Sequence, residues 1–272
     1  MAGRFAKRRV VVTGASRGIG AAIAERMAAE GADVAIVART DTDPISIPGT
    51  MAETEARMLA YGNKVVRISA DLSNEESRAD VISRAQDALG GHVEILINNA
   101  AAAIYDLASQ MPTRRRRLLL EVNALAPLDI AQQAIPAMRD AGEGWIVNVS
   151  SATARHFGFP PQELGVQGTT TAMYGASKAA LNRITDALAV ELYGTGIRVN
   201  SVEPRAAVMS EGAEKLVGGT LRPDQIETME QMVEGTLTLC DCPADYTGRI
   251  GVSLDLISEF GVPVFGLNGQ PL

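Results

Sequence analysis

The stretch Val10-Val11-Val12-Thr13-Gly14-Ala15-Ser16-Arg17-Gly18-Ile19-Gly20-Ala21-Ala22-Ile23 decides the fold. Three valines in a row read as a buried strand. Ala21, Ala22, Ile23, Ala24 and Met27 open a helical pattern directly afterwards. Between strand and helix, three glycines allow a tight turn and a close approach of backbone to a ligand. The first turn of the helix offers unpaired N–H groups and a partial positive charge, which suit a pyrophosphate. The spacing is Gly-x-x-x-Gly-x-Gly, and no Lys-Ser or Lys-Thr follows the last glycine, so a nucleoside-triphosphate loop is not matched. With a strand before it and a helix after it, the turn is predicted to bind a dinucleotide through Gly14, Ser16, Arg17, Gly18, Ile19 and Gly20.

Outward from this turn, short apolar runs alternate with amphipathic stretches. The runs fall at 10–12, 34–37, 65–68, 93–97, 145–149, 197–202 and 250–256, and helical patterns at 18–30, 53–61, 75–89, 114–139 and 174–193. The alternation predicts an α/β fold, a doubly wound sheet of seven parallel strands with helices on both faces. The strand runs are apolar at both alternations, as a sheet covered on both sides requires. No linker, repeat or low-complexity segment interrupts the 272 residues, so one domain over 1–272 is expected. Segments 40–50, with Pro44, Pro48 and Gly49, and 152–171, with Pro160 and Pro161, resemble insertions. Both follow strands and so lie on the ligand side of such a sheet.

Composition excludes several partners. The 32 acidic and 25 basic residues leave a formal charge of −7, opposite to that of a chain built for a phosphate backbone. Aromatic residues are only 4%, which disfavours base stacking and carbohydrate platforms. Cys240 and Cys242 are too close for a structural disulfide, and His92 and His156 are remote from them, so no metal site is expected. The first nine residues are charged without an apolar stretch, and no run of about 18 apolar residues exists. A cytoplasmic protein with no membrane segment is therefore expected. The run Arg114–Arg117 is read as a solvated helix end. Gly175-Ala176-Ser177-Lys178-Ala179 is no nucleophile elbow, because it ends in alanine and both histidines precede it.

Tyr174 and Lys178 stand at i and i+4 and share one helix face. A nearby ammonium favours phenolate, so the pair is expected to bring the tyrosine from its usual value near 10 towards the range of an acid/base catalyst. Together with Thr13-Gly14-x-x-x-Gly18-x-Gly20, the stretch Tyr174-Gly-Ala-Ser-Lys178 resembles the short-chain dehydrogenase/reductase family. Further matches fall in family order: Asp71-Leu72, Asn98-Asn99-Ala100-Ala101, Asn123, Ser150-Ser151, Arg198-Val199-Asn200, Pro204 and Thr247-Gly248. They extend from about residue 8 to about residue 256. Ala101 and Arg205 stand where the family usually has glycine, and the interval from Ser151 to Tyr174 is longer than usual. The Pro-Gly-Thr segment at 48–50 and the pair Pro204-Arg205 are more similar to the hydroxysteroid-dehydrogenase-like branch than to acyl-carrier-protein reductases.

The resemblance implies a Rossmann-like fold and a catalytic set of Asn123, Ser151, Tyr174 and Lys178. Ser151 is favoured over its neighbour Ser150 for binding the substrate oxygen, with Ser150 as the alternative. Lys178 would also hold the nicotinamide ribose, and Asn123 would orient it through a water. Cofactor contacts are implied for Thr40, Asp71, Leu72, Asn98, Ala100, Pro204 and Ala207 as well, with Asp71 on the adenine. The cofactor type rests on charge: Ala38 stands where an acid would bind a ribose 2′-hydroxyl, Arg39 follows it, and Arg17 lies in the glycine loop. Both arginines suit a 2′-phosphate, so NADP(H) is expected ahead of NAD(H). The expected reaction interconverts a secondary alcohol and a ketone of medium size and apolar character. A 3-oxoacyl thioester reductase and a non-catalytic dinucleotide-binding protein are the alternatives. The segment 152–171, with His156, Phe157, Phe159 and Leu164, is expected to wall the substrate pocket. The family commonly pairs its long helices, here 114–139 and 174–193. Leu118, Leu119, Val122, Leu125, Leu181, Ile184 and Leu188 on them support a homo-oligomer, tetramer or dimer.

Overall fold

Val10, Val11 and Val12 are all fully buried in the first strand, and their side chains alternate between the two faces of one sheet. Val10 and Val12 enter an apolar cluster with Ile23, Met27, Ile36, Val147 and Leu237. Val11 enters a second cluster with Val37, Leu96, Ile82, Ile130 and Val199. Each such burial contributes ~1.5–3 kcal/mol, so the strand needs cover on both faces.

The computed structural model describes residues 3–42, 47–156, 158, 165–210, 213 and 226–272. In chain order the elements are β1 (Arg9–Thr13), α1 (Gly18–Ala29), β2 (Asp33–Ala38), α2 (Met51–Met58), β3 (Val65–Ser69), α3 (Glu75–Arg78), α4 (Val81–Leu89), β4 (Ile95–Asn98) and α5 (Thr113–Leu120). A π-turn (Glu121–Leu125) leads into α6 (Ala126–Ala141), followed by β5 (Gly144–Val149), α7 (Gly165–Thr170), α8 (Ala172–Glu191) and β6 (Ile197–Glu203). Then come β7 (Ala207–Val208), β8 (Ile226–Glu227), α9 (Met229–Leu239), β9 (Ile250–Val252) and α10 (Ser253–Phe260).

Seven parallel strands form the main sheet in the order β3-β2-β1-β4-β5-β6-β9, and β7 and β8 pair separately. Val10 stands opposite Val34 on one side and Ile95 on the other. The strand order reverses between β1 and β4, which opens a crevice at their carboxyl ends. Helices α1, α9 and α10 cover the first cluster and α4, α6 and α8 the second. The fold is the expected doubly wound α/β sheet.

Several elements depart from the sequence reading. The helix expected over 75–89 is divided at Ala79-Asp80 into α3 and α4. Residues 253–256 are helical, because β9 ends at Val252 and α10 begins at once. The helix α9 has no counterpart in the periodic pattern, since Met232 to Leu239 are all buried and no polar face marks a 3.6-residue period. Gly235 lets it cross α10 closely: a Cβ there would lie 2.7 Å from the Ser253 Cα. The long helix expected over 114–139 is an unbroken helical run that widens into the π-turn around Asn123.

Candidate active site

The glycine turn is fastened to the end of β4. Thr13 Oγ1 accepts from the backbone N–H of Asn99 (3.0 Å) and Ala100 (3.1 Å), while the Asn99 amide donates to the carbonyls of Thr13 (2.9 Å) and Gly14 (3.2 Å). This crossing fills the space beside the glycines. Gly14 has φ +69°, and a Cβ on it would lie 2.7 Å from the Ala100 Cα; one on Gly20 would lie 2.4 Å from the Gly14 carbonyl oxygen.

A cavity of about 720 Å³ opens above the carboxyl ends of the strands. Of the residues singled out from sequence, Gly14, Ser16, Arg17, Gly18, Ile19, Arg39, Thr40, Asp71, Leu72 and Ala100 line its one end, and Ser151, Tyr174, Lys178, Pro204 and Ala207 the other. Three do not line it. Gly20 sits behind the loop, where it lets α1 close on Gly14. Asn98 turns into the sheet, its amide donating to Asn148 Oδ1 (2.9 Å) and to the Pro127 carbonyl, because strand alternation sends its neighbour Asn99 to the cavity instead. Asn123 is fully buried: its Nδ2 donates to the Ala102 carbonyl (2.9 Å) and to Ser177 Oγ (2.9 Å), and its Oδ1 accepts from the Ala102 N–H (2.8 Å). It therefore holds the cavity wall against α8.

At the reacting end, Ser151 follows β5 and starts a short helical turn, Ala152–Ala154. Its hydroxyl pairs with Thr153 Oγ1 (2.9 Å), accepts from the Thr153 N–H (3.2 Å), and lines the cavity with Tyr174. Ser150 also borders the cavity, but its hydroxyl is buried and has no hydrogen-bond partner among the described residues. Burial drives the Tyr174 phenol above its ordinary value, the nearby Tyr105 adds to this, and the Ser151 hydroxyl opposes it. That is opposite to the lowering expected from Lys178. The reason is that the Tyr174 phenol is itself stripped of water; Lys178, brought down to about 8 by its own burial, donates to the Val149 carbonyl at 2.7 Å.

Tyr105 escaped the sequence reading. Its ring lies 5.6 Å from that of Tyr174, tilted by 58°, and it lines the cavity with Ala101, Ala102, Ala103, Leu118 and Val122. No sequence motif marks it; only the packing of the 101–105 segment on α8 brings the rings together. Arg205, which replaces a small residue after Pro204, leaves the cavity: its N–H donates to Glu227 (3.1 Å) and its guanidinium pairs with Asp255. The buried Glu203 pairs with Arg155 at 2.6 Å, tying the segment after Ser151 to the end of β6. His156 is exposed and lines a separate recess of about 270 Å³ with Asn182 and Ile250, not the main cavity. Phe157, Phe159, Pro160, Pro161, Leu164 and, in the other insertion, Pro44 lie outside the described residues.

Of the helical residues expected to supply spare apolar surface, Leu119, Leu181 and Leu188 are buried within the chain, and Leu118 and Val122 face the cavity. Leu125 remains exposed, as do Leu120, Val190 and Tyr193. Among the described residues no cluster of three His, Cys, Asp or Glu side chains could hold a metal, and no helix is long and apolar enough to cross a membrane.

The family model described as short chain dehydrogenase matches residues 8–216. The chain belongs to the short-chain dehydrogenase family. Within this family it is similar to hydroxysteroid dehydrogenase-like protein 2 of Danio rerio, 29% identical over 290 residues, covering 99% of this chain and 66% of that protein. The ketoacyl reductase HetN of Nostoc is 32% identical over 196 residues, 72% of this chain and 62% of its own. The chain thus spans less than two thirds of the length of these relatives. Among short-chain dehydrogenase structures, one from Mycobacterium thermoresistibile superposes with a TM-score of 0.80 at 26% identity, covering 95% of this chain and 89% of its own. A 3-oxoacyl (acyl-carrier-protein) reductase from Agrobacterium tumefaciens with NADP bound gives 0.74 at 28% identity, covering 91% and 93%.

Proposed function

We propose that this chain is an NADP(H)-dependent oxidoreductase that interconverts a secondary alcohol and a ketone, apolar and of medium size. The observation that carries the reading is that Ser151, Tyr174 and Lys178 line one cavity together with Gly14, Gly18 and Ile19 of the glycine turn. The turn has the shape a dinucleotide needs, since Cβ atoms at Gly14 and Gly20 would collide with the backbone that forms the cradle. Gly14, Ser16, Gly18 and Ile19 would hold the pyrophosphate, Asp71 and Leu72 the adenine, and Tyr174 and Lys178 the nicotinamide ribose. When bound, the nicotinamide supplies or accepts the hydride at the substrate carbon.

The side chains do the rest. The Ser151 hydroxyl donates to the substrate carbonyl oxygen and fixes its direction. Burial keeps Tyr174 a neutral phenol, so its proton is available to the oxygen as negative charge develops there. In alcohol oxidation the proton returns to Tyr174 along the same hydrogen bond. The substrate end is walled by Ala101, Ala102, Ala103, Tyr105, Leu118, Val122, Ala206 and Val208, with Lys178 its one charged side chain among the described residues. That wall favours an apolar ketone over a sugar acid. It also admits a 3-oxoacyl thioester, a second reading supported by the likeness to reductases named for such substrates.

Arg39 supports the cofactor type. It is exposed at the adenosine end of the cavity, forms no ion pair among the described residues, and follows Ala38 where an acid would repel a 2′-phosphate. Buried free thiols at Cys240 and Cys242 suit a reducing compartment, and the cytoplasm is the proposed location.

A panel of apolar ketones, secondary alcohols and 3-oxoacyl thioesters, with NADPH and NADH, tests the reading. Turnover on ketones is expected for the wild type and its loss, with dinucleotide affinity retained, for Tyr174→Phe. Full turnover by Tyr174→Phe would remove the mechanism, and binding without any turnover would favour a dinucleotide-binding protein.

A further inference from the structure

Two arginines stand at the adenosine end of the cavity, and the structure uses them differently. Arg39 is exposed and unpaired among the described residues. Arg17 is committed: its Nε donates to the Pro48 carbonyl at 2.9 Å and its Nη2 to the Gly49 carbonyl at 3.0 Å, with Thr40 Oγ1 at 3.5 Å. We propose that Arg17 is a latch that holds segment 47–50 over the glycine turn, and that Arg39 alone discriminates a 2′-phosphate. The proposal rests on the dinucleotide reading given above.

The contact is built from both sides. Gly49 has φ +109°, which an L side chain rarely adopts, and a Cβ there would lie 2.6 Å from Arg17 Cβ and 2.8 Å from the Ser16 carbonyl oxygen. The segment therefore presses directly on the turn, and only glycine fits beneath the arginine. Its other end is fixed independently. Thr50 caps α2, accepting from the Glu53 N–H at 3.1 Å while Glu53 accepts from the Thr50 N–H at 2.9 Å. The N–H groups of Met51 and Ala52 then donate to the carbonyls of Thr40 and Asp41, both at 3.0 Å.

The result is a closed ring of contacts: glycine turn, Arg17, segment 47–50, the cap of α2, and the end of β2. Ile47 and Thr40 on this ring line the cavity beside Arg39. A guanidinium whose fork already grips two carbonyls has fewer N–H groups to offer a phosphate. What it supplies instead is a preformed wall for the adenosine, which NADP(H) and NAD(H) share. Its loss should weaken both dinucleotides alike.

Calorimetric titration of the purified full chain with NADPH and with NADH separates the two roles. Arg17→Gln is expected to weaken both dinucleotides by a similar factor, about 10-fold, leaving their ratio unchanged. Gly49→Ala should do the same, and the double variant should be no worse than either single one, because both break one contact. Arg39→Gln should weaken NADPH and spare NADH. Selective loss of NADPH binding in Arg17→Gln would overturn the proposal by making Arg17 a phosphate ligand. Hydrogen exchange of the ligand-free protein gives an independent reading: Arg17→Gln should speed exchange at the Met51 and Ala52 amides, while those of β1 stay protected. Unchanged exchange there would overturn the latch even if affinities fell. A wild type that binds neither dinucleotide would instead sink the dinucleotide reading, with the exchange experiment still deciding the Arg17 contact.

Discussion

Lys178 donates its hydrogen bond to the Val149 carbonyl, 2.7 Å away at the end of β5, and burial brings its ammonium from 10.5 down to about 8. In the unfolded chain the lysine keeps its proton to a higher pH than in the folded one. The folded protein therefore carries a charge-burial penalty that is fully present below pH 8 and fades as pH rises towards 10.5. The displacement is worth ~3 kcal/mol. In the ligand-free protein, Lys178→Met should be stabilised most relative to wild type at pH 7, with the difference shrinking by pH 9.5. Denaturant titration at several pH values measures it, and a difference that does not change with pH would show that the folded-state ammonium is not destabilised. Tyr174 acts in the opposite sense. Its raised value makes folding lose stability only above pH 10, outside this window.

Asn123 grips both backbone groups of Ala102 and reaches Ser177 on α8, so one side chain joins the cavity wall to the helix carrying Tyr174. Asn123→Ala leaves the Ala102 N–H and carbonyl without their partners. A loss of about 2–3 kcal/mol in unfolding free energy is expected. Ketone KM should also rise more than the dissociation constant of NADPH. A variant as stable as the wild type would mean that Ala102 finds other partners.

Tyr105 meets Tyr174 ring to ring, at 5.6 Å and 58°. If it acts as an apolar wall, Tyr105→Phe should retain wild-type KM for a ketone panel. Tyr105→Ala should raise KM by roughly 10-fold through lost aromatic contact. Equal damage from both substitutions would point to the hydroxyl instead of the ring.

Leu120 and Leu125 by the π-turn, Val190 on α8 and Tyr193 just past it are apolar and exposed, Val190 and Tyr193 each by 74%. We expect self-association through these helices. Light scattering should give a multiple of 28.7 kDa for the wild type and the single-chain mass for the double variant Leu125→Glu, Val190→Glu. A wild-type particle of 28.7 kDa at micromolar concentration would reject the assembly.

What was legible in the sequence is what local chemistry determines. Val10–Val12 had to be a strand because all three side chains are apolar, and Gly14, Gly18 and Gly20 had to be a turn between it and a helix. The parallel sheet followed from repetition of that unit, and the shared face of Tyr174 and Lys178 from helical geometry alone. What only the tertiary structure decided is where each side chain finds its partner. Asn98 and Asn99 are adjacent and chemically identical, yet one bonds Asn148 inside the sheet and the other faces the cavity, because strand ends send successive side chains to opposite sides. Arg17 and Arg39 read alike as phosphate ligands, but the first donates to carbonyls at Pro48 and Gly49, far along the chain, while the second forms no ion pair among the described residues. The helix Met229–Leu239 carries no period because it packs against both α1 and α10 and every residue from Met232 to Leu239 is buried. Burial reversed the expected shift of Tyr174 for the same reason: a sequence shows which charges are close along the chain, while the loss of water around them is a property of the folded whole.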